Sequence, residues 1–308
     1  MSSKLIEKSV IADLANRASG LDQPGGDQRL KTITNRLLFD LFTAIDDLDI
    51  SMNEVWSAVA YLGQAARANE LGLVAPGIGL EHFLDLRLDE AERRAGLAGG
   101  TARTIEGPLY IAGAPLSKAT ARLDDGSERG EVLFMQGQVR DHNGKPVADA
   151  IVDVWHANVL GNYSHFDPLQ PAYNLRRRIQ TDADGRYSFR SIMPSGYATP
   201  EGGSTEALML ALGRHGHRPA HIHFFVSAPG HRHLTTQINI EGDEYLFEDF
   251  AFGTRNDLIP PVTRVDDPKA LAERQVQEPF ASIDFDFVLM PEVEGVTDTV
   301  VERERATA

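Results

Sequence analysis

Two histidines, His221 and His223, occupy alternate positions in residues 220–226. That segment is rich in β-branched and aromatic residues and lies between Pro219 and Pro229, which predicts a strand. Because side chains two positions apart on a strand point to the same face, both imidazoles would be directed at one point. Such a pair suits a metal ion, although a His-x-His motif taken alone also occurs as ordinary surface or core histidines.

Two histidines are too few ligands for a tightly held metal, and the sequence contains no cysteine that could complete the site. The remaining ligands would therefore be carboxylates or phenols. Glu241, Asp243 and Glu244 follow about 20 residues later, in a segment that resembles a turn. Tyr163 and Tyr197 lie in segments rich in Gly, Ser and Pro, where each could be a ligand or a buried tyrosine with a hydrogen-bonded hydroxyl.

The composition is that of a globular protein with a large core: 308 residues, 42% hydrophobic and 24% charged. A formal net charge of −15 disfavours nucleic acid and anionic membrane surfaces as partners. The N-terminal residues mix charged and apolar types at helical spacing and do not resemble the apolar core of a secretory signal. No stretch approaches the length of a membrane span. We therefore expect a cytoplasmic protein without membrane insertion.

The N-terminal part of the chain has a helical pattern. Apolar residues recur there at spacings of three and four: Leu30, Ile33, Leu37, Leu38, Leu41, Phe42, Ile45 and Leu48. Ser51 and Glu54 have the spacing of a capping box that opens another helix, and residues 81–94 predict a further one. The helical pattern ends at residues 96–100, where three glycines predict a flexible connection.

The rest of the chain has the pattern of strands. Apolar or alternating segments occur at 132–139, 151–155, 187–189 and 282–289, with Gly- and Asp-containing turns at 141–144 and 182–185. Many short strands with such turns predict an antiparallel β-sandwich. We therefore predict a mainly β protein with an α-helical N-terminal part, divided into a helical domain at 1–104 and a β-sandwich catalytic domain at 105–308.

Several segments together resemble the intradiol ring-cleaving dioxygenases, and among these the catechol 1,2-dioxygenases. The matching segments are IEGPLY at 105–110, DVWHAN at 153–158, GNYS at 161–164, NLRRRI at 174–179, RSIMPSGY at 190–197, LGRHGHRPAHIHFF at 212–225 and SAPGHRHLTTQIN at 227–239. The resemblance covers nearly the whole chain, including its helical part, and is more specific than any one motif.

The resemblance implies one non-haem Fe(III) per subunit, with Tyr163, Tyr197, His221 and His223 as its ligands. Two phenolates and two neutral imidazoles form a hard, anionic ligand set that favours Fe(III) over softer ions. A second His-x-His, at residues 231–233, begins at a turn and is not a metal site in the family, so we assign it to structure.

The resemblance also implies an activity, which is cleavage of catechol by O2 to cis,cis-muconate during aromatic compound breakdown, as in the β-ketoadipate pathway. Tyr197 would give way to the substrate, Arg218 would stabilise negative charge on it, and Gln237 would lie beside the iron. The implied substrate pocket is apolar with one polar end, which suits a flat aromatic diol. Its residues are Leu73, Pro76, Ile105, Pro108, Leu109, Arg218, Phe250 and Ala251.

The family further implies a homodimer that forms through the N-terminal helices and can hold a phospholipid at the dimer interface. Two alternatives stay open for the function. A chlorocatechol or hydroxyquinol 1,2-dioxygenase would have the same iron site. Residues 144–153 and 184–187 also resemble transthyretin-like sandwiches, which are binding modules without a metal, although the presence of all four ligand residues disfavours that class.

Overall fold

The computed structural model describes residues 5–295. The chain divides after Arg67 into two compact units. The described part of the first unit contains three helices: α1 (Lys8–Ser19), α2 (Gln28–Asp47) and α3 (Met52–Arg67). The apolar repeat that predicted a helix lies on α2. The predicted capping box opens α3, because the backbone N–H of Ser51 donates to Glu54 at 2.8 Å and that of Glu54 donates back to the Ser51 hydroxyl at 3.3 Å.

The described part of the second unit contains four α-helices: α4 (Leu71–Gly77), α5 (Leu80–Arg94), α6 (Ser204–Ala211) and α7 (Pro268–Arg274). Helix α5 is the predicted helix at 81–94, whereas the short α4 has no clear sequence signal. Helices α4 and α5 belong to the same compact unit as the sheets. The predicted domain division at 104/105 was based on the change from helical to strand pattern, and it stays a prediction. No helix among residues 5–295 is long and apolar enough to cross a membrane.

The strands of the second unit form two main sheets. The first contains β1 (Leu116–Lys118), β4 (Ile151–His156), β5 (Arg176–Gln180), β9 (His221–Ser227) and β10 (Leu234–Asn239), in the order β1-β5-β4-β9-β10. The second contains β2 (Thr120–Arg122), β3 (Val132–Asp141), β6 (Arg186–Ile192), β11 (Thr263–Val265) and β12 (Phe280–Asp284), in the order β11-β12-β3-β6-β2, and β13 (Phe287–Leu289) also pairs with β3. A separate pair consists of β7 (Tyr197–Ala198) and β8 (His217–Arg218).

One apolar core lies between the two main sheets. Val152 of β4 and Phe224 of β9 contribute to it from the first sheet, and Leu133 of β3 and Phe189 of β6 from the second. The predicted β-sandwich with a helical N-terminal part is therefore confirmed. The pairing is mixed rather than wholly antiparallel, because the outer strands β1 and β2 and the late strands β12 and β13 run parallel to their neighbours. Each of these strands is separated from its parallel partner by a long stretch of chain rather than by a hairpin, which permits parallel pairing.

The predicted strand at 282–289 is interrupted between β12 and β13. Both pieces pair with β3 in one continuous register, but the gap at Phe285 and Asp286 lies opposite Gly137 and Gln138. The Phe285 carbonyl approaches the Gly137 backbone so closely that a side chain there would collide with it. The Asp286 carboxylate accepts the Gln138 N–H at 2.8 Å in place of a ladder bond. Alternation of apolar residues continues through the gap, so periodicity did not indicate it.

Candidate iron and substrate site

The His-x-His motif lies on β9, the strand between β4 and β10 in the first sheet. His221 and His223 are both almost fully buried, and their Nε2 atoms are 3.0 Å apart. The alternating residues Ile222 and Phe224 enter the apolar core between the sheets. Because neighbouring residues on a strand face opposite sides, the two imidazoles meet on the side of the sheet away from that core.

A backbone contact determines which nitrogen of His221 is available. Its Nδ1 is 2.6 Å from the Pro219 carbonyl oxygen. Since a carbonyl can only accept a hydrogen bond, we assign the proton of the neutral ring to Nδ1. The Nε2 atom then carries a lone pair, which faces His223 Nε2 and the Arg218 Nη1 atom at 3.1 Å. This is the arrangement in which a neutral histidine can bind a cation.

His223 is held differently. Its Nδ1 makes no hydrogen bond to other residues of the 5–295 segment. The ring instead stacks on Trp155, its directly opposite partner on β4, with centroids 4.8 Å apart and planes at 5°. Trp155 is in turn packed edge-on against Tyr110 and Phe225. Aromatic packing therefore gives His223 its orientation.

Tyr163 and Tyr197 approach the histidines from two different segments. The Tyr163 side chain is buried, and its hydroxyl is 3.4 Å from His221 Nε2. Tyr197 lies on β7, is partly exposed, and has its ring centroid 5.6 Å from those of both Tyr163 and His221. Gly161 has φ +79°, and a Cβ there would lie 2.7 Å from the Tyr197 Cβ. A glycine is therefore needed for the loop that carries Tyr163 to pass Tyr197.

Burial keeps the three fully buried groups of this cluster uncharged. Burial, together with the nearby Arg218 cation, lowers the pKa of His221 to about 3. Burial also lowers the pKa of His223, with the neighbouring His221 as the next cause. Burial raises the pKa of Tyr163 well above its ordinary value, reinforced by Tyr197. Two neutral imidazoles are ready to bind a metal, whereas the Tyr163 phenol needs a strongly charged cation to lose its proton.

Arg218 lies beside the histidines in a fully buried polar network. Its Nη1 atom faces His221, its Nη2 atom donates to the Gln237 side-chain oxygen at 2.9 Å, and Nε and Nη2 both bond to the Asp249 carboxylate. Burial opposes charge on Arg218, but Asp249 outweighs it and raises the pKa of the guanidinium above its ordinary value. The arginine is therefore a permanent cation at the edge of the cluster.

A pocket of about 200 Å³ opens beside the two tyrosines. Its walls include Leu73, Leu109, Tyr163, Phe166, Tyr197 and Thr199. Two of the predicted substrate residues, Leu73 and Leu109, are thus brought together with both tyrosines. The pocket is large enough for a small aromatic ring, and a flat diol bound in it could reach the tyrosine hydroxyls.

The other predicted pocket residues are not among those that line this pocket. Ile105, Phe250 and Ala251 form a buried apolar cluster with Met209. Pro76 is buried on α4, and Pro108 lies so close to α4 that a Cβ on Gly72 would be 3.4 Å from it. Their role in substrate binding stays a prediction.

The donor set fits a ferric ion better than other metals. No group of three or more His, Cys, Asp or Glu side chains suited to a metal occurs within residues 5–295, so a site of two histidines and one carboxylate is not formed there. The Tyr163 and Tyr197 phenols lie beside the two histidines and are the groups that would complete a metal site there. Hard phenolate oxygens with imidazole nitrogens match the preference of Fe(III).

Three contributors to the site were missed in the sequence. Trp155 orients His223, Pro219 orients His221, and Asp249 holds Arg218. Trp155 and Pro219 lie in segments that matched the family, but neither has a side chain typical of metal chemistry. The second His-x-His has different surroundings: Arg232 between its two histidines is buried in an ion pair with Glu92, and the His233 ring packs on Phe225.

With this fold and site, comparison with known proteins identifies the class. The family model described as Dioxygenase matches residues 105–291, and the model described as Catechol dioxygenase N terminus matches residues 27–96. The chain belongs to the intradiol ring-cleaving dioxygenases, as the resemblance of its motifs implied.

Individual relatives narrow the class. The chain is 62% identical over 245 residues to Catechol 1,2-dioxygenase 2 of Acinetobacter lwoffii, which covers 80% of this chain and 89% of that protein. The crystal structure of wild-type Acinetobacter radioresistens catechol 1,2-dioxygenase superposes with a TM-score of 0.94 at 51% identity, covering 99% of this chain and all of the other. Relatives named for chlorocatechol and hydroxyquinol are more distant, at 34% identity.

Proposed function

We propose that the protein is a catechol 1,2-dioxygenase that inserts O2 into catechol between the two hydroxyl-bearing carbons and forms cis,cis-muconate. The observation that carries the proposal is the convergence of two histidine Nε2 atoms, 3.0 Å apart, with the Tyr163 hydroxyl, 3.4 Å from His221, beside a pocket of ring size. The names of the most similar relatives support catechol as the substrate.

We assign one Fe(III) per subunit to Tyr163, Tyr197, His221 and His223. The bound ion would supply Lewis acidity and draw electron density from the catechol ring, which makes the ring reactive toward triplet O2. The neutral state of both imidazoles supports this assignment, since protonated histidines cannot bind a cation. The donor set also lacks soft ligands, which agrees with a hard trivalent ion.

The protein groups have separable tasks in this proposal. Leu73 and Leu109 orient the flat ring by apolar contact, because they line the pocket next to the tyrosines. Tyr197 is the more exposed of the two tyrosines. We therefore expect Tyr197, rather than Tyr163, to move aside for catechol and to take a proton from a catechol hydroxyl. Arg218 presents a buried positive charge to negative charge that develops on the substrate.

The similar relatives and the pocket wall support a preference for unsubstituted catechol. The most similar relatives are named for catechol, and Leu73 and Leu109 line the pocket beside the tyrosines. We expect kcat/KM for catechol to exceed that for 4-chlorocatechol and for hydroxyquinol by about 10-fold or more, the range in which one added group is discriminated by an apolar pocket. Steady-state O2 uptake with each substrate, together with identification of the product, measures this.

Each outcome of that experiment has a definite meaning. A higher kcat/KM for 4-chlorocatechol or hydroxyquinol than for catechol would replace the proposed substrate by one of those alternatives. A product cleaved outside the two hydroxyl-bearing carbons would contradict the assigned chemistry. A protein that takes up no iron and turns over none of the three would favour a transthyretin-like binding role.

The first unit supports a proposal about assembly. Helices α2 and α3 carry large apolar side chains that are more than half exposed, among them Leu37 at 64% and Trp56 at 64%. Together with the dimeric form that the family implies, these residues support a homodimer through the N-terminal helices.

An apolar pocket of about 420 Å³, lined by α1 and α2 residues such as Leu14 and Phe42, supports a bound phospholipid at that interface. Sedimentation and lipid extraction of the purified protein test both, and cell fractionation tests the proposed cytoplasmic location.

A further inference from the structure

We propose that Asp249 is a positioning residue for ring cleavage, whose carboxylate clamps Arg218 so that one guanidinium nitrogen is directed at His221 in the proposed iron site. The proposal rests on the proposed function, because it concerns how Arg218 acts in that reaction. Asp249 was not among the residues that the sequence indicated.

The contacts of Arg218 leave one direction for its remaining donor. One carboxylate oxygen of Asp249 accepts a hydrogen bond from Nε at 3.1 Å, and the other accepts one from Nη2 at 3.0 Å. This two-point contact fixes the plane of the guanidinium. Gln237 accepts a second bond from Nη2 at 2.9 Å. The Nη1 atom points instead at His221 Nε2, 3.1 Å away. Rotation of the guanidinium would break the pair, so Nη1 is held beside the two histidines of the proposed iron site.

Asp249 is itself held rigidly. Its two oxygens also accept the backbone N–H groups of Ala251 and Gly253, each at 3.0 Å. Burial opposes the ionised carboxylate, but Arg218 outweighs it and the pKa of Asp249 is lowered. The pair is almost completely buried, with 3% of the Arg218 side chain and 1% of the Asp249 side chain exposed. An ion pair so enclosed keeps its geometry because each charge would otherwise be buried alone.

Gly253 gives the pair its space. A Cβ at this position would lie 2.6 Å from Arg218 Nη2 and 2.9 Å from the Asp249 carboxylate. The same carboxylate therefore shapes residues 249–253, which include the predicted substrate residues Phe250 and Ala251. We infer that Asp249 links the orientation of the arginine to the backbone of residues 249–253.

A double-mutant cycle tests the clamp. The proteins are the wild type, Asp249→Asn, Arg218→Met and the double variant, with kcat expressed per bound iron and KM measured for catechol. An asparagine keeps the shape of the side chain but removes its charge, so we expect kcat to fall by about 100-fold, the loss typical of a misplaced transition-state donor. If Asp249 acts through Arg218, the double variant should match Arg218→Met within about threefold, because the two residues act as one unit.

The control is Asp124→Asn. Asp124 also pairs with an arginine, Arg122, and accepts a backbone N–H, from Gly126, and neither partner belongs to the proposed site. Its kcat should equal that of the wild type. If Asp249→Asn does not fold, Gly253→Ala disturbs the same clamp from outside and should lower kcat similarly.

Two results would overturn the clamp: an Asp249→Asn or Gly253→Ala enzyme with kcat within twofold of the wild type, or a double variant whose loss equals the product of the single losses. Neither is the same as failure of the proposed function. That failure would appear as an iron-loaded wild type that does not cleave catechol, before any variant is compared.

Discussion

Replacement of His221 by alanine is expected to abolish iron retention and to lower the activity on catechol by more than about 100-fold. Changes in groups that merely orient a metal ligand already cost 10- to 100-fold, so loss of a ligand should cost more. The structural reason is that His221 Nε2 lies 3.0 Å from His223 Nε2, where the two could bind one ion. An alanine at position 221 offers no donor atom for the metal. Iron per subunit, measured by metal analysis, and steady-state O2 uptake give the two readouts.

His231→Ala provides a matched control. Like His221, His231 has its Nδ1 close to the carbonyl of a proline two residues earlier, here Pro229 at 3.0 Å, and it belongs to the other His-x-His. We expect this variant to keep its iron and its activity. Full iron retention in His221→Ala would refute the assignment of His221 as a ligand, and equal iron loss in both variants would show that the effect is not specific to the site.

Tyr163→Phe is expected to weaken iron retention by at least about 10-fold, the lower bound for a disturbed metal site. The ring is almost fully buried and sits within 5.6 Å of the Tyr197 ring, so phenylalanine should preserve the packing and remove only the hydroxyl. The variant should therefore fold normally while it loses one of two anionic ligands. Competition with a chelator at equilibrium, followed by the thermal midpoint of the metal-free protein, separates ligation from folding.

Tyr197→Phe should behave differently, because Tyr197 lies on the pocket wall and is partly exposed. If this tyrosine is the one that gives way to substrate, its removal should lower kcat more than it weakens iron retention. A larger loss of iron in Tyr197→Phe than in Tyr163→Phe would reverse the roles that we propose for the two tyrosines.

Local sequence patterns were sufficient to predict the helices and strands that have one apolar face. The His-x-His strand was predicted from its residue types and flanking prolines, and alternation predicted that both imidazoles share one face. The structure places both on one face of β9 with the neighbouring apolar residues in the core. The capping box at Ser51 was equally local, since both partners lie within one helical turn. Such features depend on residues close together in the chain.

Long-range partners could not be predicted in the same way. Asp249 is separated from Arg218 by 31 residues, and nothing near either residue in the sequence indicates that they meet. The stack of Trp155 on His223 requires the register between β4 and β9, which depends on the packing of the whole sheet. The gap at Phe285 was hidden because apolar alternation continues across it, although only a glycine at position 137 on the neighbouring strand allows it.

The measurement that tests the iron site most directly is the visible absorption spectrum of the purified protein, recorded before and after anaerobic addition of catechol. Ligation of Fe(III) by Tyr163 and Tyr197 predicts a broad tyrosinate-to-iron charge-transfer band, and direct binding of catechol predicts its shift to longer wavelength. A protein that contains stoichiometric iron but has no colour would contradict tyrosinate ligation, and with it the mechanism proposed for this site.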